Sequence, residues 1–190
     1  MTERQIREIE YHRERARQHG DLLVRPFSYD VVTSADRRWW NAYWEMFSFL
    51  MRHPLNGGKV LVVGCGFGDD ALRLAKLGAD VYAFDLSPES LAIARKLASR
   101  EKLRIDFREM PAERLDYDSG FFDYVLARDI LHHVDIPTAL AEITRVSKEG
   151  AVLVVNEIYS HTFTEKIRRL SLIEKRIYPA MRNFIYKGES

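Results

Sequence analysis

Short apolar runs recur along the second part of the chain at Val60–Val63, Val81–Phe84, Leu103–Phe107, Phe121–Ala127 and Ala151–Val155. Val60–Val63 is wholly apolar and rich in β-branched residues, the pattern of a strand buried on both faces. Between the runs the period changes to that of a helix. Ala71, Leu72, Leu74, Ala75 and Leu77 share one face, and Gly78 is placed to end that helix. Ser87-Pro88-Glu89 supplies an N-cap, a first-turn proline and an acidic first turn for a helix over Pro88–Arg100, with Leu91, Ala92, Ala94, Leu97 and Ala98 as its buried stripe. Asp135-Ile136-Pro137 opens another, with Leu140, Ile143 and Val146 facing the core, and Lys148-Glu149-Gly150 reads as a turn before the last strand. Strand and helix alternate, which predicts an α/β fold: a three-layer αβα sandwich around a mostly parallel, doubly wound sheet.

The flanks are helical in pattern. Residues 2–19 form a charged helix with a thin apolar face of Ile6, Ile9 and Tyr11, and Tyr11 is a candidate pocket residue. Leu22–Tyr29 contains Pro26 and reads as irregular. Ser34–Leu50 holds all three tryptophans with Tyr43, Phe47 and Phe49, so a helix there buries more than one face. One face packs on the sheet, and another is available as an apolar wall for a ligand. His53–Gly58 breaks that helix. Phe163–Tyr186 is basic and helix-like, with Ile167, Leu170, Ile173, Ile177 and Met181 on one face and a kink expected at Pro179. The expected organisation is a single domain over 1–190: a helical cap over 1–57, a sheet core over 58–158 and a helical segment over 159–190.

At 190 residues, with 46% apolar and 30% charged residues, the chain has the make-up of one globular domain with a full core. A net charge of +1 gives no field for steering onto nucleic acid. A lone cysteine rules out an internal disulfide framework, the N-terminus is too charged for a secretory signal, and no apolar run is long enough to span a bilayer. The expected location is the cytoplasm, with no nucleic-acid or membrane partner.

The chemistry concentrates where the first strand meets its helix. Val60–Val63 runs into Gly64-Cys65-Gly66-Phe67-Gly68, and the second strand ends at Asp85, about 20 residues beyond that turn. Such a β-α-β unit binds a nucleoside-containing ligand, with the carboxylate on the ribose hydroxyls. The pattern is G-x-G-x-G, whereas the dinucleotide fingerprint is G-x-G-x-x-G. Asp69 and Asp70 occupy the helix start where a pyrophosphate would rest and would repel it. A ligand with a ribose and no phosphate fits better, which disfavours a nicotinamide-dependent oxidoreductase.

The ordered set VLVVGCGFG, YAFDLS, PAERLDYDSGFFDYVLARDILHHV and AEITRVSKEGAVLVVNE, over roughly Lys59–Glu157, resembles the Rossmann-like S-adenosylmethionine-dependent methyltransferases. The resemblance implies transfer of a methyl group from S-adenosylmethionine to a small-molecule acceptor. It implies that Gly64, Cys65, Gly66 and Gly68 let the backbone approach the amino-acid part of the cofactor. Asp85 would take the ribose hydroxyls, Leu86 would pack on the adenine, and Arg128 would lie beside the methionine moiety, largely through its backbone. Relatives commonly read Asp-Ala-Glu where this chain has Pro111-Ala112-Glu113, which leaves Ala112 and Glu113 to border the adenine.

Methyl transfer from a sulfonium needs alignment and exclusion of water, and a base only where the acceptor keeps its proton. His132 and His133 follow the fourth strand, and the resemblance places His132 nearer the acceptor. Its other reading is a structural histidine capping backbone at the strand end. No metal is expected, because the pair lacks a spaced ligand partner. Relatives add an antiparallel hairpin after the C-terminal helix, and nothing after Tyr186 supplies two strands. The expectation is therefore an exposed apolar edge at Val152–Val155, open to pairing with a second copy, and a chain that is either a cofactor-binding but catalytically incomplete module or a piece of a longer enzyme.

Overall fold

A computed structural model describes Glu10, Arg13, Glu14 and residues 20–157. Tyr11, nearly all of the expected helix over 2–19, and the expected helix over 163–186 lie outside the described residues. The elements in chain order are α1 (Asp30–Thr33), α2 (Ala42–Leu50), β1 (Lys59–Val63), α3 (Asp69–Lys76), β2 (Asp80–Asp85), α4 (Pro88–Arg100), β3 (Ile105–Glu109), β4 (Phe122–Arg128), α5 (Ile136–Val146) and β5 (Ser147–Asn156).

The sheet order is β3-β2-β1-β4-β5, and every pairing is parallel. The two-residue period of the strands divides the core between two faces. Val60, Val62, Val81, Ala83, Tyr124 and Leu126 join Phe47 of α2, Leu72 of α3 and Leu97 of α4. Leu61, Val63, Phe84, Val125 and Ala127 join Ala139, Ile143 and Val146 of α5. The result is the expected αβα sandwich. Phe47, Phe84 and Phe122 are fully buried, and each such side chain stabilises the fold by about 1.5–3 kcal/mol.

Local chemistry sets the element ends. Ser87 accepts the N–H of Ser90, and Asp135 accepts that of Thr138, so both serve as the expected N-caps. Gly78 ends α3 at φ +89 with its N–H on Ala75 O. Three boundaries differ from the sequence pattern. The aromatic helix begins at Ala42 and not near Ser34, because the Asn41 side chain accepts the N–H groups of Tyr43 and Trp44 and caps it there. Trp39 and Trp40 precede the helix, at 75% and 56% exposure, stacked edge to face. β3 lies two residues later than expected, because Lys102 at φ +57 first reverses the chain. β5 absorbs the expected turn: Phe122 pairs with Ser147 and Tyr124 with Val152, so Lys148–Ala151 bulge out of the ladder. Asp123 pins this bulge through Lys148 Nζ at 2.7 Å and holds the start of β1 through the N–H of Lys59.

β5 is an edge strand among the described residues, and Leu153 and Val155 on its α5 face are exposed. Also among the described residues, no helix is long and apolar enough to cross a membrane.

Candidate active site

β1 and β4 are neighbours, but the chain leaves them toward opposite faces of the sheet, to α3 and to α5. Their carboxyl ends therefore flank a crevice, the place where open α/β sheets bind ligands. The glycine turn lies on one side. Gly64, Gly66 and Gly68 have φ of +62, +53 and +88. A Cβ on Gly64 would stand 2.5 Å from Ile130 Cδ1, so the β4 loop packs directly on this turn, whereas a Cβ on Gly66 would meet nothing within 4 Å. Cys65 donates its N–H to Phe84 O and accepts from Gly68 N, which engages its backbone within the turn. Burial, and then the charge of Asp85, push its thiol well above the usual range, so it stays neutral.

Asp85 ends β2 beside this turn. Its Oδ2 accepts the N–H of Gly66 at 2.8 Å and its Oδ1 that of Ser87 at 2.9 Å. Two of about four lone-pair sites on the carboxylate are thus used. Leu86 follows, half-buried. Met110 donates its N–H to Asp85 O, which brings the segment after β3 to the same place. Ala112 is buried with Phe84, Leu131 and Val134. Glu113 accepts the N–H of Asp135 with Oε1, and its Oε2 is buried with no hydrogen-bond partner. α5 secures this segment: Glu142 accepts Leu115 N–H, and Arg145 donates to Glu142 and to the carbonyls of Leu115 and Tyr117.

Arg128 ends β4, and its side chain is engaged within the fold. Nε donates to Asp70 Oδ2 at 2.7 Å and Nη1 to Asp129. Asp70 also accepts from the Tyr43 hydroxyl at 2.8 Å, and that hydroxyl accepts from Arg73 at 2.7 Å. Burial, reinforced by the charge of Asp70, pushes the Tyr43 phenol up, so it remains the donor. Burial works against the charge of Arg128, and Asp70 outweighs it, so the guanidinium is held more firmly charged than usual. This chain of ionic hydrogen bonds ties α2, the start of α3 and the end of β4 together.

His132 lies in the short 3-10 turn Leu131–His133 that follows β4. Its Nδ1 is 2.8 Å from Glu157 Oε2, while Glu157 Oε1 accepts the N–H groups of Ile130 and Leu131. Burial would raise the Glu157 carboxyl, but the hydrogen bonds from His132, Leu131 and Ile130 prevail and hold it below the usual range. His133 lies against His132 with ring centroids 3.9 Å apart and the planes tilted by 44°. Sequence reasoning passed over Glu157, Asp70 and Tyr43 as site residues. Nothing local in the sequence marks Glu157; parallel pairing of Arg128 with Asn156 puts it beside the chain leaving β4. Among the described residues, no group of three or more His, Cys, Asp or Glu is placed to hold a metal ion.

A family model described as a methyltransferase domain matches residues 61–155, half of the chain. The chain belongs to this methyltransferase family. Among curated relatives, it is 43% identical over 81 residues to a ubiquinone biosynthesis O-methyltransferase of Methylocella silvestris, covering 43% of this chain and 32% of that one. It is 32% identical over 142 residues to the protein of that name from Xanthomonas oryzae pv. oryzae, covering 68% of this chain and 59% of that one. It thus spans about a third to three fifths of the length of these relatives. A solved phosphoethanolamine N-methyltransferase 2 of Haemonchus contortus, in complex with phosphomonomethylethanolamine and S-adenosylhomocysteine, superposes with a TM-score of 0.56 at 26% identity, over 69% of this chain and 35% of that one. The site of the family member described here fits a nucleoside with an attached amino acid. The space beside Gly66 is open, Asp85 retains acceptor capacity toward hydroxyls, and Glu113 Oε2 is a buried acceptor without a donor.

Proposed function

We propose that the protein transfers a methyl group from S-adenosylmethionine to a hydroxyl of a small-molecule acceptor. The observation that carries the reading is the crevice between β1 and β4, where the glycine turn, the anchored Asp85 carboxylate and His132 meet at one end of a methyltransferase-family sheet. When bound, S-adenosylmethionine supplies a methyl group already activated by the sulfonium charge.

The chain's own residues bind, orient and move a proton. Gly64, Cys65, Gly66 and Gly68 keep the turn low enough for an amino-acid moiety to approach. Asp85 accepts from the ribose hydroxyls with its remaining lone pairs. Leu86 and Ala112 border the adenine, and Glu113 Oε2 accepts from its amino group. Arg128 stands beside the methionine moiety through its backbone, its side chain being held by Asp70. His132 takes the proton of the acceptor. Relatives named as O-methyltransferases support a hydroxyl acceptor, and a base is needed only where the acceptor is protonated at neutral pH.

Isothermal titration with S-adenosylhomocysteine and with NAD, side by side, tests the reading. Binding of the first and none of the second is expected; binding of NAD alone overturns it. With methyl-labelled cofactor and a panel of small phenols and alcohols, His132→Ala should lower kcat by about 10²–10⁴ while leaving S-adenosylhomocysteine affinity nearly unchanged. Normal specific activity in a destabilised variant would return His132 to a structural role.

A further inference from the structure

We propose that Trp39 and Trp40 are specificity-determining residues on the acceptor side of the crevice, and that they select an acceptor with a planar aromatic ring. The inference deepens the methyl-transfer reading and rests on it for the role of the ligand. The aromatic site itself stands on the placement, exposure and mutual geometry of the two indoles.

α2 runs against the direction of the strands. Beyond its last residue, His53 packs on Tyr124 in the first half of β4, with ring centroids 5.9 Å apart, and the chain then enters β1 at its amino end. At its first residue, Ala42 O accepts from Asn156 Nδ2 at 3.2 Å, and Asn156 pairs with Arg128 at the carboxyl ends of β5 and β4. The next residue, Tyr43, reaches Asp70 at the start of α3. The segment before α2 is therefore carried past the carboxyl edge of the sheet. Trp39 and Trp40 stand there on the rim of the crevice, on the β4–β5 side and across from Asp85 at the end of β2.

The turn that bears them is held in place. Arg37 donates Nη1 to Val31 O, Nη2 to Trp44 O and Nε to Ser48 Oγ. Arg38 O accepts the N–H of Asn41 at 2.9 Å, and Asn41 caps α2. Trp44, one turn further on, is buried beneath the Arg37 and Arg38 guanidinium groups. On this scaffold Trp39 and Trp40 remain 75% and 56% exposed, and adjacent apolar rings kept in water mark an interaction site. Their geometry names the ligand. The rings are 5.6 Å apart and nearly perpendicular, at 86°. A flat ring lying offset on one indole face meets the edge of the other, and the ring quadrupole favours both arrangements. A saturated ring of the same size gains only the area of contact. An indole buries about 250 Å² at most, so the pair offers no more than about 500 Å². That falls short of the roughly 800 Å² per partner of a stable protein interface. A net charge of +1 supplies no attraction to an anionic lipid surface. One small planar molecule, its hydroxyl directed into the crevice, matches both the area and the place.

2-Naphthol and decahydro-2-naphthol share a hydroxyl and a two-ring frame and differ in the π face, so the pair tests this on the ¹⁵N-labelled full chain saturated with S-adenosylhomocysteine. The chain has three indole N–H signals, assigned by the loss of one each in Trp39→Phe and Trp40→Phe. We expect 2-naphthol to shift the signals of Trp39 and Trp40 and to leave that of Trp44. It should bind about two- to tenfold more tightly than its saturated counterpart, the range of an aromatic pair. The variant Trp39→Ala/Trp40→Ala should bind 2-naphthol more weakly by about tenfold or more, with S-adenosylhomocysteine affinity changed by less than about threefold. Trp39→Phe/Trp40→Phe should restore most of the loss, which a merely structural role would not predict. Equal 2-naphthol binding by wild type and the alanine variant, no shift of either signal, or no preference over the saturated compound overturns the proposal. A response of these signals to phosphatidylcholine vesicles or to protein concentration, with none to 2-naphthol, gives the surface to a lipid or to a second copy and overturns it as well. Absence of S-adenosylhomocysteine binding in wild type would instead sink the methyl-transfer reading, and the same titration without it would still decide the aromatic site.

Discussion

Gly66 donates its backbone N–H to Asp85 across 2.8 Å, so the glycine turn after β1 and the carboxylate after β2 are one unit and not two neighbouring features. Asp85→Ala should therefore have two effects. S-Adenosylhomocysteine binding should weaken by roughly 1–3 kcal/mol through lost hydrogen bonds to a charged acceptor. Stability should also fall by about 1–3 kcal/mol, because the N–H groups of Gly66 and Ser87 lose their acceptor. Asp85→Asn keeps an oxygen for one of them and should recover much of the stability without the affinity. Titration calorimetry and urea unfolding of the two variants check this, and equal stability in both would contradict it.

Arg128→Ala should be costlier than its partial exposure suggests. It leaves the Asp70 carboxylate, 7% exposed, with only the Tyr43 hydroxyl among the polar partners described above. Removing one partner of a buried pair destabilises by about 3–5 kcal/mol, and the one-third exposure of Arg128 reduces this to about 2–3. The double variant Asp70→Ala/Arg128→Ala should be more stable than Arg128→Ala alone, since the stranded charge is gone. Chemical denaturation of the four-member cycle measures it.

The two glycines that flank Cys65 should respond differently to alanine. Gly64→Ala drives a methyl group to 2.5 Å from Ile130 Cδ1 and should disrupt folding, with partial rescue by Ile130→Ala, which removes the two nearest atoms. Gly66→Ala meets no neighbour, so its folding cost is that of the left-handed backbone, about 1–2 kcal/mol. It should instead lose affinity for S-adenosylhomocysteine, because the methyl group enters the open crevice. Thermal melts paired with calorimetry distinguish the two patterns.

The segment after β3 that α5 holds through Leu115 and Tyr117 should loosen in acid. Hydrogen bonds from Arg145 and from Leu115 N–H hold the Glu142 carboxyl down at about 2 from an ordinary 4.5. A depressed folded-state value contributes stability that is complete above about 4.5 and disappears as pH falls toward 2. Stability should therefore decline through that window, and Glu142→Gln should flatten the decline. Urea unfolding between pH 6 and 2.5 reads the slope, and parallel curves for wild type and variant would refute the assignment.

Much of this was legible along the chain because the signals were periodic or local. The apolar runs gave the strands, Ser87 and Asp135 announced helix starts, and the glycine spacing with Asp69 and Asp70 separated the turn from a dinucleotide site. What escaped depended on pairing between distant segments. The Arg128 side chain was left out because its acceptor, Asp70, reaches it only once α3 lies against β4. Glu157 reads as a strand terminus until the parallel register with β4 places it against the turn that holds His132. The start of α2 was misplaced because aromatic content marks burial, whereas the Asn41 side chain decides where the helix begins.

The strand order also has a kinetic side. β1, β2 and β3 are sequential neighbours, so the half-sheet bearing the glycine turn and Asp85 needs only short crossovers and can form from residues 59–109. β4 must return past both of them to reach the other side of β1, a longer loop closure. During refolding, amides of β1–β3 should gain protection before those of β4 and β5. A chain caught between the two stages would carry the glycine turn and Asp85 as one finished wall of the crevice, with the wall that β4 supplies not yet in place.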